Sequence, residues 1–286
     1  MRRGGSSRSP AASVEGGYGG MERAFRGVQG SMVEKVGVGL GPRNRIPEMR
    51  RQEALDAAAI LQMRRSELAA RLARGEDCQA RVVARTLAGI NEWMREDCLG
   101  WRDLLSVRPS GTLPQLRVSV PHNRSLVATG LQMVSLLDHD GCVPAARIFL
   151  ANEEPGYYRF GVGPVQMKIV DRRYVLLQGP FVDDESTLMA VTAPDCLAAA
   201  WQYWHASMAS SFPAEEEAAG GLAALTPRQR QVVVLLADDT RDAAIAETLD
   251  VSVRTVRSDI AELMERLGVR SRFAAGVRVK ELLREQ

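Results

Sequence analysis

The stretch DVSVRTVRSDIAELMERLGVRSR, residues 250–272, decides how the carboxyl end of this chain folds. Val256, Ile260, Leu263 and Leu267 fall at i, i+4, i+7 and i+11, the stripe of a helix with one buried face. Ser252 stands where an N-cap belongs, and Gly268 where a left-handed residue ends a helix. The spacing therefore predicts a helix over 253–267. Arg254, Arg257, Ser258 and Ala261 recur on its other side. Arginine can fork onto a guanine edge or a phosphate, serine can bond either, and alanine lets a groove wall approach. The helix start, with Ser252, Val253, Thr255 and free backbone N–H groups, suits a phosphate.

Working outward, Thr226 followed by Pro227 marks the start of another helix, with Val233 and Leu236 turned inward. A two-turn helix from about Asp242 to Leu249 presents Ile245, Ala246 and Leu249, and Ser271 caps a last one. Four short helices, the middle two joined by a tight turn, predict an all-α helix-turn-helix domain over 222–286. Residues 225–286 hold 11 Lys/Arg against 10 Asp/Glu, so the distribution of charge along the third helix, and not its bulk, favours a polyanion. Periodicity alone leaves both DNA recognition and protein binding open, because helical hairpins serve either end.

LTPRQRQVVVLLA followed by IAETLDVSVRTVRSDIAELMERLGVRSR resembles the LuxR-type helix-turn-helix over about 60 residues. The L-T-x-R start and the I-A-x-x-L, S-x-x-T-V and L-x-V-x-S-R landmarks are all in register. The resemblance implies a transcription factor that binds double-stranded DNA, lays its third helix in the major groove and forms a homodimer through its last helix, where Phe273, Val277 and Leu282 are apolar. Gln229 and Asp239 replace a glutamate and a glycine common in that family. Asp259 stands where a basic residue is frequent, which by the resemblance places an acid on the DNA-facing side.

The rest of the chain is different in kind. Residues 1–45 hold eight Lys/Arg against three Glu with no apolar period, and read as a disordered basic arm; Met21 and Met32 are possible alternative starts. Residues 46–78 are alanine-rich and predict one long helix, with Leu55, Ala58, Leu61, Met63, Leu68 and Leu72 loosely on one side. From 79 to 212 short β-like runs alternate with helical ones. Helices are expected over 79–99, from Asn123 to Gly130, over 143–152 and over 195–209. Strands are expected near 104–107, 131–137, 157–160, 167–171, 174–177 and 188–191. That alternation predicts an α/β regulatory domain with a mixed, largely buried sheet. The acidic, Gly/Ala-rich PAEEEAAGG, 213–221, reads as a linker.

At 286 residues, with 45% apolar residues and a formal charge of +2, the chain has room for two packed domains and no global field for nucleic acid. No apolar run suits a membrane span, and four scattered cysteines argue for a reduced, cytoplasmic protein. His139, Asp140 and Cys142 in DHDGC lack metal-ligand spacing and read as a turn; no metal or other cofactor is expected. There is no phosphate loop of Walker type and no receiver-like acidic cluster.

PVQMKIVDRRYVLL, 164–177, is similar to the phospholipase D-like fold that serves some transcription factors as a regulatory domain. Enzymes of that superfamily carry H-x-K-x(4)-D, and Pro164, Gln166 and Asp171 occupy those places here. Proline cannot attack and glutamine carries no charge, so the expected role is sensory or dimerising, for an effector the sequence does not identify. The rival reading is a phosphodiester-processing enzyme with a fused DNA-binding domain. Asp171 is expected to end a strand, with Lys168 as a charge beside it. Trp201, Tyr203 and Trp204 are expected to fill the core, a ligand pocket or dimer seam being the alternative.

Overall fold

The computed structural model describes residues 46–218 and 223–285, with side chains as far as Val279. The basic arm predicted for 1–45, the last part of the expected linker and the Leu282 side chain lie outside the described residues.

Helix α1, Glu48–Ala73, matches the long helix predicted for 46–78. Its buried side is Ala54, Ala57, Ala58, Leu61 and Leu68, whereas Leu55 and Met63 point outward. Small alanines let α1 lie close to its neighbour, which selects a stripe offset from the one that the larger residues suggest. Next come β1 (Ala80–Arg85), α2 (Leu87–Asp97), β2 (Asp103–Arg108), α3 (Leu113–Ala128), β3 (Gln132–Asp138) and α4 (Pro144–Ala151). They are followed by β4 (Tyr158–Gly161), β5 (Met167–Val170), β6 (Tyr174–Gln178), β7 (Thr187–Val191), α5 (Pro194–Ala209) and β8 (Phe212–Pro213).

Eight strands form one mixed sheet in the order β1-β7-β6-β5-β2-β3-β4-β8. Strands β2, β3 and β4 run parallel, joined through α3 and α4, and the other pairings are antiparallel. Period-two alternation sends Leu104, Met133, Leu137, Phe160, Val170 and Leu176 to one face, under α3 and α4. Leu105, Val107, Leu136, Met167, Ile169 and Val175 go to the other face, under α1 and α5. Tyr203 and Trp204 belong to that second core, and the Tyr203 hydroxyl donates to the Val165 carbonyl at 3.1 Å while accepting from the Val165 N–H at 2.9 Å. The packing reading of these aromatics is the one that fits; Trp201 stacks on His205 at 5.8 Å.

Three expectations are corrected. Residues 80–85, read as the start of a helix, form edge strand β1, whose register is broken by a bulge between Val82 and Ala84. Helix α3 begins at Leu113, ten residues before the predicted start, and continues through Pro121. Residues 213–218 of the segment read as a linker are structured: Phe212 and Pro213 pair with β4, and Ala214–Ala218 form a 3₁₀ turn. Glu217 is buried there, with Arg147 Nε 2.7 Å and His139 Nε2 3.3 Å from its Oε1.

Four helices complete the chain: α6 (Pro227–Ala237), α7 (Asp242–Leu249), α8 (Val253–Arg266) and α9 (Arg272–Glu285). Gln229 and all of Gln231–Ala237 are buried, so α6 has partners on more than one side. One is the helical domain's own core of Val256, Ile260, Leu263, Ala275 and Val279; another is α4, through Ala145 and Ile148. Asn152 fixes this contact by donating from Nδ2 to the Pro227 carbonyl at 3.1 Å and accepting from Arg230 at 2.9 Å. The helical domain is docked on the α/β domain by its first helix.

Candidate nucleic-acid interface

Helices α7 and α8 are joined by a turn in which Asp250 takes the left-handed conformation, φ 53°. Aspartate tolerates that region better than most residues because its short side chain bonds locally. Ser252 then caps α8, its Oγ accepting from the Thr255 N–H at 3.1 Å and lying 2.8 Å from the Thr255 hydroxyl. Gly268, φ 65°, ends the run as predicted. Val256, Asp259, Ile260 and Leu263 are buried, while Arg254, Arg257, Ser258 and Ala261 are exposed. Ser252 is exposed at the helix start, and Val253 and Thr255 are half-buried beside it. The seven candidate residues thus occupy one continuous surface, the first turn of α8 and its outer face.

Arg257 leans on Asp242 of α7, Nε to Oδ2 at 3.3 Å, with 72% of its side chain still exposed. Asp242 is shared with Arg272 at the start of α9. Arg254 forms no ion pair among the described residues. A groove of about 480 Å³ runs beside this face, lined by Asp242, Arg257, Ala261, Met264 and Arg272. The arrangement offers two arginines, a serine hydroxyl and a small residue in a row. The arginines and the hydroxyl are donors, and the carboxylates that line the groove beside them are Asp242 of α7, held by both Arg257 and Arg272, and Glu265 two turns further along α8.

Asp259 is the correction. It does not lie on the outer face: it is 4% exposed, and Arg228 grips it with Nε to Oδ2 at 2.7 Å and Nη2 to Oδ1 at 3.1 Å. This fork raises the Arg228 pKa above its ordinary value, through the hydrogen bond first and the carboxylate charge second. The family resemblance placed Asp259 on the DNA-facing side, although it follows Val256 at i+3, the buried side. Gln229 completes the same joint: its Oε1 accepts from Thr226 N–H at 3.1 Å, and its Nε2 donates to Glu262 at 2.8 Å. Glutamine therefore closes the capping box and also bridges α6 to α8. Asp239, where the family often has glycine, adopts φ 55°.

In the α/β domain, Pro164 and Gln166 are exposed just before β5, while Asp171 accepts from Arg102 and Asp103 N–H groups at 2.8 and 2.9 Å. Asp171 is a structural clasp between β5 and β2. Lys168, expected as a charge beside Asp171, stands opposite Ser106 on the sheet face that α3 covers. The DHDGC segment makes a turn, with Gly141 donating to Asp138 at 2.9 Å. A Cβ on Gly141 would stand 1.9 Å from the Pro109 carbonyl, so only glycine fits there. His139 is turned toward Glu217 and Cys142 is buried.

Residues 223–279 match the family model described as bacterial regulatory proteins, luxR family. The chain is 45% identical over 60 residues to the spore germination protein GerE of Bacillus subtilis, which is 21% of this chain and 77% of that protein. It is 29% identical over 123 residues to the bialaphos biosynthetic pathway regulatory protein of Streptomyces hygroscopicus, covering 41% of this chain. It spans less than half, 46%, of that regulator's length. Among solved structures, a phospholipase D family member, Nuc of Salmonella typhimurium, aligns with a TM-score of 0.36 and 13% identity, over 47% of this chain and 96% of Nuc.

Proposed function

This chain belongs to the luxR family of bacterial regulatory proteins, and on that premise we propose that it regulates transcription by binding specific double-stranded DNA through α8. The observation that carries the reading is the division of α8 into a buried stripe and an exposed row of Arg254, Arg257, Ser258 and Ala261. In this reading Arg257 and Ser258 meet base edges, Arg254 meets a phosphate, and Ser252, Val253 and Thr255 seat the helix start on the backbone. Ala261 sits at closest approach to the groove. No helix among the described residues is long and apolar enough to cross a membrane. In this reading the cytoplasm is where the protein meets its DNA.

The full chain should select a defined duplex from a random pool. Ala261→Glu changes an exposed residue, so the fold should persist while an acid is pressed on the groove wall. Retained selection of the same duplex by this variant would remove α8 from the interface.

The reading extends to a homodimer on DNA. Phe273 is 81% exposed and Val277 43% exposed on α9, an apolar pair left uncovered among the described residues. Two copies joined there would read two half-sites. The α/β domain is proposed as a regulatory module without phosphodiester chemistry, because Pro164 and Gln166 offer neither nucleophile nor charge. An effector acts on DNA affinity only as far as it binds one arrangement of the two domains better than another. Purified protein should show no turnover on phosphodiester substrates; turnover lost on changing Asp171 would favour the enzyme.

A further inference from the structure

Two half-buried cations share one face of the α/β sheet, and the described residues supply an ion-pairing acid to neither. Lys168 of β5 stands opposite Ser106 of β2 in the antiparallel register, and Arg108 lies two residues further along β2. The two therefore project from the same face of the sheet as diagonal neighbours, within reach of each other's long side chains. Neither forms an ion pair among the described residues. Arg108 donates to the Ser119 hydroxyl of α3 at 3.4 Å, a neutral partner at the limit of a hydrogen bond.

What surrounds them is hydroxylic. Ser106 donates to Ser135 of β3 at 2.9 Å, and Ser135 in turn faces Tyr158 of β4 in register. The Tyr158 oxygen accepts from Asn123 of α3 at 3.1 Å. Lys168, Ser106, Ser135 and Tyr158 thus cross four adjacent strands as one polar row beneath α3, within a face otherwise made of Leu104, Leu137 and Leu176. Arg108 ends β2 and both cations are half-buried, while Ser106, Ser135 and Tyr158 are buried behind them; the cations thus stand toward the carboxyl ends of the parallel strands, where open α/β sheets take their ligands. Burial lowers the pKa of each cation, and Arg108 lowers that of Lys168 further, to about 8. Two like charges held together in an apolar face are costly until an anion joins them.

We propose that Arg108 and Lys168, with the hydroxyls of Ser106, Ser135 and Tyr158, form a site for a phosphate dianion, free or as the terminal group of a small ester. A dianion matches two positive charges, and its oxygens exceed the two that a carboxylate offers to this many donors. The site is separate from α8 and does not depend on the DNA reading.

The test is thermal unfolding and titration calorimetry of the full chain without DNA, at constant ionic strength, with inorganic phosphate and with glycerol 3-phosphate. Both should bind saturably and raise the unfolding midpoint. Tighter binding of the ester marks an organic ligand, and tighter binding of inorganic phosphate marks the free ion. Lys168→Met and Arg108→Met should each weaken binding about tenfold or more. Lys168→Met should also raise the midpoint of the ligand-free protein, because it removes the repulsion, so loss of binding is not loss of fold. Arg257→Ala should leave phosphate binding unchanged. Absence of binding to the wild-type chain at millimolar phosphate, or equal binding by Lys168→Met, overturns the proposal. So does loss of phosphate binding in Arg257→Ala, which would place the anion on the nucleic-acid face.

Discussion

Asp259 in the helical domain and Lys168 in the α/β domain are both charged groups drawn away from water, and their surroundings are opposite. Asp259 has a partner of matching shape, the Arg228 guanidinium, which satisfies both its oxygens and keeps half of its own side chain in solvent. Lys168 has a second cation and neutral hydroxyls. The first arrangement joins α6 to α8 and is complete without a ligand. The second is incomplete as it stands, and incompleteness is the mark of a binding site more than of a structural joint.

The largest expected effect breaks the complete pair from its solvent side. Arg228→Ala leaves a carboxylate buried with no counter-charge and should cost about 3 kcal/mol or more of helical-domain stability, read by denaturant unfolding. Asp259→Ala leaves Arg228 free to turn into water and should cost clearly less, about 1 kcal/mol. Equal costs would mean that the pair acts by packing and not by charge.

The incomplete pair has a pH signature of opposite sign to that of a stabilising ion pair. The folded pKa of Lys168 is depressed to about 8 from 10.5, so the unfolded chain binds more protons between those values. Stability from this group is lowest below pH 8, rises as pH climbs from 8 toward 10.5, and levels off above. The difference between wild type and Lys168→Met should shrink across that window by about 2 kcal/mol, allowing for partial exposure. A difference that stays constant with pH would show Lys168 to be at ease where it is.

Smaller effects sharpen the contrast within the helical domain. Val277→Glu should leave monomer stability within about 0.5 kcal/mol, since the side chain is exposed, while lowering the stoichiometry on DNA. Unchanged stoichiometry would remove α9 from the dimer. Asp239→Gly relieves φ 55° and should gain about 0.5 kcal/mol at most, because glycine also loosens the unfolded chain.

The helical domain was legible because its signals are local. Thr226 and Ser252 cap, Gly268 stops, and Val256, Ile260 and Leu263 mark one face within a few turns. Asp259 was misplaced because the family pattern was followed over its own i+3 spacing from Val256, and the partner that explains a buried acid, Arg228, lies 31 residues away. In the α/β domain most strands could be read, but ARVVAR did not alternate and β1 is bulged at an edge, so its burial pattern carries no clean period two. Pro121 hid the first half of α3, although Thr112 and Gln115 offered a capping box, with Thr112 N–H bonded to Gln115 Oε1 at 3.2 Å. PAEEEAAGG has a linker's composition, and only the tertiary partners Arg147 and His139 turn its Glu217 inward. The meeting of Arg108 with Lys168 depends on β5 pairing antiparallel to β2 across sixty residues, which no local pattern encodes.

The central claim is that the outer face of α8 reads DNA, and the sequence preference of the Arg257→Ala variant tests it most directly. Binding motifs selected from a random duplex pool by wild type and variant should differ at one base position per half-site, where preference relaxes by about 1–3 kcal/mol, with the flanking positions unchanged. Two identical motifs of equal strength would contradict the account.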